Sequence, residues 1–270
     1  MIVDAHHHFW NPARFPQPWL RGRFEPLARA FEPADLEPSL HPAGVVRTVL
    51  VQSADADADT DYLFEIAEGI GWIGGIVAWL PLDEPERARA RLSRLRSRPK
   101  LRGIRHLVHE ELDPHWILRS DVAAGLEQLE EAQLPLDLPA EFPNHLEDVP
   151  ELARRHPGLT IVVDHLAKPP ANAEAFAAWR SQLEAAAEHP NVFAKVSGLD
   201  TGVDPVIAIE AAVASFGPAR LLFGSDWPVS LLRASYGETV RRTVAAVRAV
   251  AGPGADAILA GTARLVYRLG

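Results

Sequence analysis

Three histidines and one aspartate, His6, His8, His165 and Asp226, are the residues from which this chain can build a reactive centre. Side chains alternate between faces in an extended segment, so His6 and His8 point one way and His7 the other, and two imidazoles on one face can grip a single cation. Alone, such a doublet is as well explained by an ordinary structural or solvated cluster. Asp226 adds weight because it ends the apolar run Leu221-Leu222-Phe223-Gly224-Ser225. A helix cap or a loop ion pair is the competing explanation for a carboxylate there. His165, which follows Thr160-Ile161-Val162-Val163-Asp164, is either a fourth member or a hydrogen-bonded core residue. Three imidazoles and a carboxylate make an N3O set of the kind that holds a borderline-soft divalent ion, Zn2+ in particular.

Other polar groups end apolar runs in the same way. Alternation along 101–105 puts Gly103 and Arg105 on one face. A guanidinium there binds a substrate carboxylate or carbonyl, or pairs with a neighbouring acid. His106 follows directly. Lys168 and Lys195 are either substrate-facing charges or partners of acidic groups. Trp10, Trp116 and Trp227 lie near these ends and either wall a ring-binding pocket or simply pack. Glu110-Glu111 reads as a solvated charge pair, and Ser225 lacks the G-x-S-x-G context of a serine nucleophile. The resulting assignment has Asp226, His165 and Arg105 in catalysis. His6, His8, Asp226 and His165 surround a metal, and His106, Lys168, Lys195, Trp10, Trp116 and Trp227 bind substrate.

Strand ends must position these groups. Runs rich in β-branched and apolar residues at 2–6, 46–52, 72–80, 101–106, 134–138, 160–164, 192–197 and 220–225 read as eight strands. Helical periodicity fills 59–69, 85–96, 121–133, 145–156, 173–189, 204–216 and 236–250, with Pro85 and Pro205 suited to first turns. Strands alternating with helices imply parallel pairing. Eight such units in 270 residues indicate an α/β fold, a closed (β/α)8 TIM barrel forming one domain over 1–270. Barrel chemistry gathers at the C-terminal strand ends, where the polar groups above fall. The long connection at 9–32, rich in proline, arginine and tryptophan, is a candidate lid.

The net charge of -9, with acidic and basic residues spread along the chain, offers no basic face for nucleic acid and no cationic amphipathic stretch for a membrane surface. A small molecule is the expected partner, and a homo-oligomer remains open. The absence of cysteine removes disulfides, thiolate ligands and a cysteine nucleophile. With no signal-like segment before the first strand, the expected location is the cytoplasm.

Asp4-Ala5-His6-His7-His8-Phe9-Trp10, Leu101-Arg102-Gly103-Ile104-Arg105-His106, Asp164-His165-Leu166-Ala167-Lys168-Pro169, Lys195-Val196-Ser197-Gly198-Leu199 and Gly224-Ser225-Asp226-Trp227-Pro228 together resemble the amidohydrolase-related family often called amidohydrolase 2. The resemblance is to its lactonase branch, which acts on L-fucono-, L-rhamnono- and 2-pyrone-4,6-dicarboxylate lactones. It implies a distorted TIM barrel that opens a sugar-acid lactone, with His6, His8 and Asp226 around a metal or in its place; in the mechanism we expect, Asp226 is the general base toward water. One divalent ion, Zn2+, is the implied cofactor, with metal-free catalysis as the alternative. The fifth strand ends in Leu136-Asp137-Leu138 without the superfamily's usual histidine, which argues against a binuclear site. A metal-dependent decarboxylase of the same superfamily and a non-catalytic sugar-acid-binding barrel are the alternative functions.

Overall fold

Eight parallel strands run in sequence order around one sheet: β1 (Ile2–His7), β2 (Val45–Val51), β3 (Ile73–Trp79), β4 (Leu101–Arg105), β5 (Leu136–Leu138), β6 (Ile161–Val163), β7 (Val192–Val196) and β8 (Leu221–Phe223). The computed structural model describes residues 1–199 and 201–270. Between the strands run α1 (Pro33–Leu40), α2 (Asp57–Ile66), α3 (Pro85–Leu95), α4 (Ser120–Ala132), α5 (Val149–Arg155), α6 (Ala173–Ala187) and α7 (Pro205–Phe216), and α8 (Tyr236–Ala251) and α9 (Thr262–Val266) follow β8. The eight expected strands and seven expected helices all form, with ends shifted by a few residues. Helices α1 and α9 were not anticipated: α1 is short and holds Pro33 and Pro38, with a reciprocal cap between Glu32 and Asp35 that starts it, and α9 spans only 5 residues. Asn172, Asp204 and Ser235 each accept backbone N–H bonds at the starts of α6, α7 and α8.

Alternation along the strands divides the apolar residues between two cores. Val3, Ala5, Val49, Val51, Val77, Val162 and Leu222 fill the barrel interior. Ala263, Val266, Tyr267 and Leu269 close it from below, Leu269 reaching Gly74 and Gly75 at the start of β3. The opposite strand faces pack against the helices in a larger core. A filled interior leaves only the C-terminal mouth for chemistry.

Closure between β8 and β1 sets the shape of that mouth. The two strands meet past their ends, through Asp226 N–H to His6 O at 2.8 Å and His8 N–H to Trp227 O at 2.7 Å. The register of β1 slips between Asp4 and His7. Ala5 faces the interior core and His6 faces inward as well, so a bulge returns His6 and His8 to the inside. Buried Asp4 fixes the bulge: its Oδ1 accepts from His6 N–H at 3.2 Å and Ser225 N–H at 2.8 Å, and its Oδ2 accepts from the Tyr236 hydroxyl at 3.1 Å. We expect Asp4→Ala to cost about 2–4 kcal/mol, since buried donors lose their acceptor, and Asp4→Asn to keep most of the stability. Chemical denaturation measures both. Equal losses would show that charge, rather than acceptor geometry, holds the junction.

Candidate active site

A cavity of about 660 Å3 opens at the C-terminal mouth, with His8, Arg105, His165 and Asp226 on its floor. Nε2 of His6 lies 3.1 Å from Nε2 of His8, and Asp226 Oδ1 lies 3.8, 3.6 and 3.9 Å from Nε2 of His6, His8 and His165. Two imidazole nitrogens on one tetrahedral Zn2+ stand about 3.3 Å apart, so the atoms of His6, His8 and Asp226 are spaced as ligands of one ion, with His165 beside the carboxylate.

Each ring is held from its far nitrogen. His8 Nδ1 donates to Val51 O at 2.9 Å, His165 Nδ1 meets Ser197 Oγ at 2.9 Å, and His6 Nδ1 lies 3.3 Å from Asp164 Oδ1 and 3.1 Å from Lys195 Nζ. Such outer partners fix ring orientation and leave Nε2 to face the centre. Burial lowers the proton affinity of His6 and His165, which favours the neutral form that ligates a metal. Burial would raise the Asp226 carboxyl, yet His165, His6 and His8 together hold it well below the usual carboxylate range.

Beneath the centre lies a buried ionic layer. Asp164 sits 3.0 Å from Lys195 Nζ and 3.0 Å from Arg105 Nε, held by ion pairs rather than aligned hydrogen bonds. Burial pushes its carboxyl up, but Lys195, His6 and Arg105 outweigh that and keep it ionised. Lys195 also pairs with Asp137, whose Oδ1 accepts from the Tyr267 hydroxyl at 2.7 Å.

Backbone strain concentrates here. His165, Leu166, Ala167 and Lys168 form a left-handed turn with φ of 55, 49, 55 and 56°, each residue costing on the order of 1 kcal/mol. Trp179 Nε1–H to Leu166 O (2.7 Å) and Phe142 N–H to Ala167 O (3.0 Å) hold it. The turn delivers His165 to the centre and Lys168 to the cavity wall, where Lys168 pairs with Glu141. Asp226 also has φ of 57°.

Several expected positions need correction. Lys195 is wholly buried one pleat below Ser197, so it meets Asp137 and Asp164 and not the cavity. Trp10 is buried against Trp19 and Phe31, and Trp227 against Phe9 and Phe31, because the 9–32 segment folds over them. Trp116 stacks on His106 with centroids 4.0 Å apart. His106 accepts from Trp79 Nε1–H at Nδ1 (3.2 Å), so its Nε2 keeps a proton and donates to Glu111 at 2.7 Å. With both nitrogens engaged, the Asp55, His106 and Glu111 cluster is a hydrogen-bonded clamp and does not offer an imidazole lone pair to a metal. Glu111 is thus no solvated charge, and Glu110 lines the cavity. Lys168 and Arg105 do line it. Asp4, Asp137 and Asp164 carried no expectation; their position beside strand-end histidines, or inside an apolar strand, was the available signal.

The inward His6 and His8 of β1, a histidine after β6 and an aspartate after β8, grouped at the mouth of a (β/α)8 barrel, define a hydrolase centre that includes a candidate metal-ligand set. The amidohydrolase family model matches residues 3–269, and the chain belongs to that family. It is 39% identical over 246 residues to an L-fucono-1,5-lactonase of Burkholderia ambifaria, spanning 87% of this chain and 83% of that protein. An L-fucono-1,5-lactonase of Burkholderia multivorans is 35% identical over 255 residues, spanning 87% and 85%. A crystal structure of a Burkholderia multivorans amidohydrolase with bound zinc is similar over 100% of both chains, at 32% identity and a TM-score of 0.92.

Gly198 has φ of +56°, and a Cβ there would lie 2.6 Å from His165 Nδ1. Gly198→Ala should therefore displace His165 and lower kcat/KM at least about tenfold while the fold persists. Circular dichroism beside kinetics checks this, and unchanged kinetics would mean that His165 tolerates movement.

Proposed function

We propose that this chain hydrolyses a sugar-acid lactone of the L-fucono type by attack of water on the ring carbonyl. The observation that carries the reading is the gathering of His6, His8 and His165 around the Asp226 carboxylate at the cavity floor, in a chain whose relatives are named lactonases.

His6, His8 and Asp226 form a set that would hold one divalent cation, and His165 beside Asp226 would be the fourth donor that gives the N3O character suited to Zn2+. Such an ion polarises a carbonyl and acidifies water. That chemistry matters because Asp226 is a weak base toward ordinary water when its carboxyl is held so low. In the first step the water oxygen bonds to the carbonyl carbon, and Asp226 receives the proton. In the second, the bond from that carbon to the ring oxygen breaks, and Asp226 returns the proton to the leaving alkoxide. The products are a hydroxy acid and no second molecule. Arg105 presents a guanidinium already anchored on Asp164 and on Gln52 O, able to orient the substrate carbonyl or its neighbouring hydroxyl. The 9–32 segment supplies Trp19, Arg23 and Phe24 to the cavity and acts as its cover.

The decarboxylase alternative has less support, since β5 delivers Asp137 to the buried layer and no histidine to the mouth. A non-catalytic binding barrel would not need four converging groups with anchored outer nitrogens. No single helix is long and apolar enough to cross a membrane, and we place the enzyme in the cytoplasm, with a homo-oligomer as an open assembly.

Acid release from aldonolactones, followed with a pH indicator on protein of measured metal content, tests the reading. Release should vanish on chelation and return with Zn2+. Asp226→Asn should lower kcat by about 10²–10⁴-fold with the fold intact; a near-normal rate would remove Asp226 from the proton transfer. Release that survives complete chelation would place the polarising role on the imidazoles and Arg105.

A further inference from the structure

The cavity is chemically divided across the barrel. On the β8 and β1 side, the turn Val229–Leu232 packs against the turn Gly22–Leu27, and Val229, Leu232, Trp19 and Phe24 present apolar surface. The arginines on that side, Arg23 and Arg233, line the cavity from its exposed rim, and the Arg23 guanidinium lies over the Phe24 ring at 4.6 Å. On the opposite side, the loops after β4, β5 and β6 present Arg105, His109, Glu141 and Lys168. Burial pushes His109 down to about 4, leaving a neutral ring whose Nδ1 has no hydrogen-bond partner.

Lactone chemistry links this division to orientation. The group that returns a proton to the ring oxygen must lie beside that oxygen, and in a 1,5-lactone the ring oxygen is attached to C5, which carries C6. Asp226 is continuous with the apolar side, because Ser230 N–H donates to Asp226 O at 2.9 Å and starts the Val229–Leu232 turn. Whatever C5 bears is therefore directed at Val229 and Leu232. The hydroxyls at C2 to C4 occupy the other ring edge, facing a wall where an ammonium beside a carboxylate offers donors and acceptors together.

We propose that Val229, Leu232 and Phe24 receive the C5 substituent while the Lys168 and Glu141 pair, with His109, receives the ring hydroxyls, so that a 6-deoxy sugar-acid lactone is preferred over its 6-hydroxy counterpart. This inference rests on the lactonase reading above. The geometry of the left-handed turn adds a constraint, since His165 and Lys168 are fixed three residues apart on one rigid segment, joined by Lys168 N–H to His165 O at 2.9 Å.

The test compares kcat/KM for freshly generated L-fucono- and L-galactono-1,5-lactone, which differ only by the C6 hydroxyl. The wild-type enzyme should favour the 6-deoxy lactone by about 10–10²-fold, the discrimination an apolar pocket achieves against one added hydroxyl. Leu232→Asn should bring the two within about threefold. Glu141→Gln should raise KM for both at least about tenfold while leaving their ratio near the wild-type value. Equal turnover of both lactones by the wild type, or a ratio untouched by Leu232→Asn, overturns the inference and leaves the lactonase reading standing. Failure to open either lactone, or any other aldonolactone, overturns both.

Discussion

The extra residue in β1, held by the Asp4 carboxylate, is the constraint on which the active site depends. Without the slip between Asp4 and His7, the alternation that sends Val3 and Ala5 into the interior core would carry His7 inward and turn His6 and His8 against the helices. A shift of one residue exchanges faces for everything beyond it. The same carboxylate also takes the Ser225 amide, so the bulge and the approach of Asp226 are fixed by one group. Two ligand-bearing segments from opposite ends of the chain are thereby set relative to each other before any ligand is considered.

The ionic layer below imposes a second condition. Removing one partner of a buried pair costs about 3–5 kcal/mol, because the other charge is left without compensation. Lys195, Arg105, Asp137 and Asp164 alternate in sign and lie at or near zero exposure. They join β4, β5, β6 and β7 under His6, and Tyr267 ties the layer to the C-terminal plug. Such a layer is weak evidence for stability but strong evidence for position: each charge has one place in which it is neutralised. His6, seated on it, inherits that fixity.

The strand rhythm made the barrel legible, and the period of two made His6 and His8 legible, because both signals are local. Lys195 shows the limit. Alternation assigns it correctly to the interior face, but depth along the barrel axis depends on how far each strand runs, and Lys195 lies one pleat too deep to meet substrate. The tryptophans failed for a related reason. Nearness to a strand end says nothing of which way the following loop turns, and the 9–32 segment covers Trp10 and Trp227. The roles of Asp4 and Asp164 were not legible because their partners are distant in the chain, Asp4 meeting Ser225 at a separation of 221 residues and Asp164 meeting His6 of the first strand. No window along the chain contains such a pair.

Strain is distributed in a way that bears on catalysis. The non-glycine residues in left-handed conformation include four consecutive positions, His165 to Lys168, and Asp226, all of them at the mouth. Strained backbone persists only where its surroundings over-determine it, and here the surroundings are hydrogen bonds from Trp179 and Phe142 and the bonds that close β1 on β8. A site held this way gains little from adapting to its substrate. A lactone ring is itself stiff, and its carbonyl and leaving oxygen are fixed at one spacing. A rigid floor therefore suits the reaction, and adaptation to different sugar acids falls to the cavity walls, where Leu232, Glu141 and Lys168 lie on loops outside the strands.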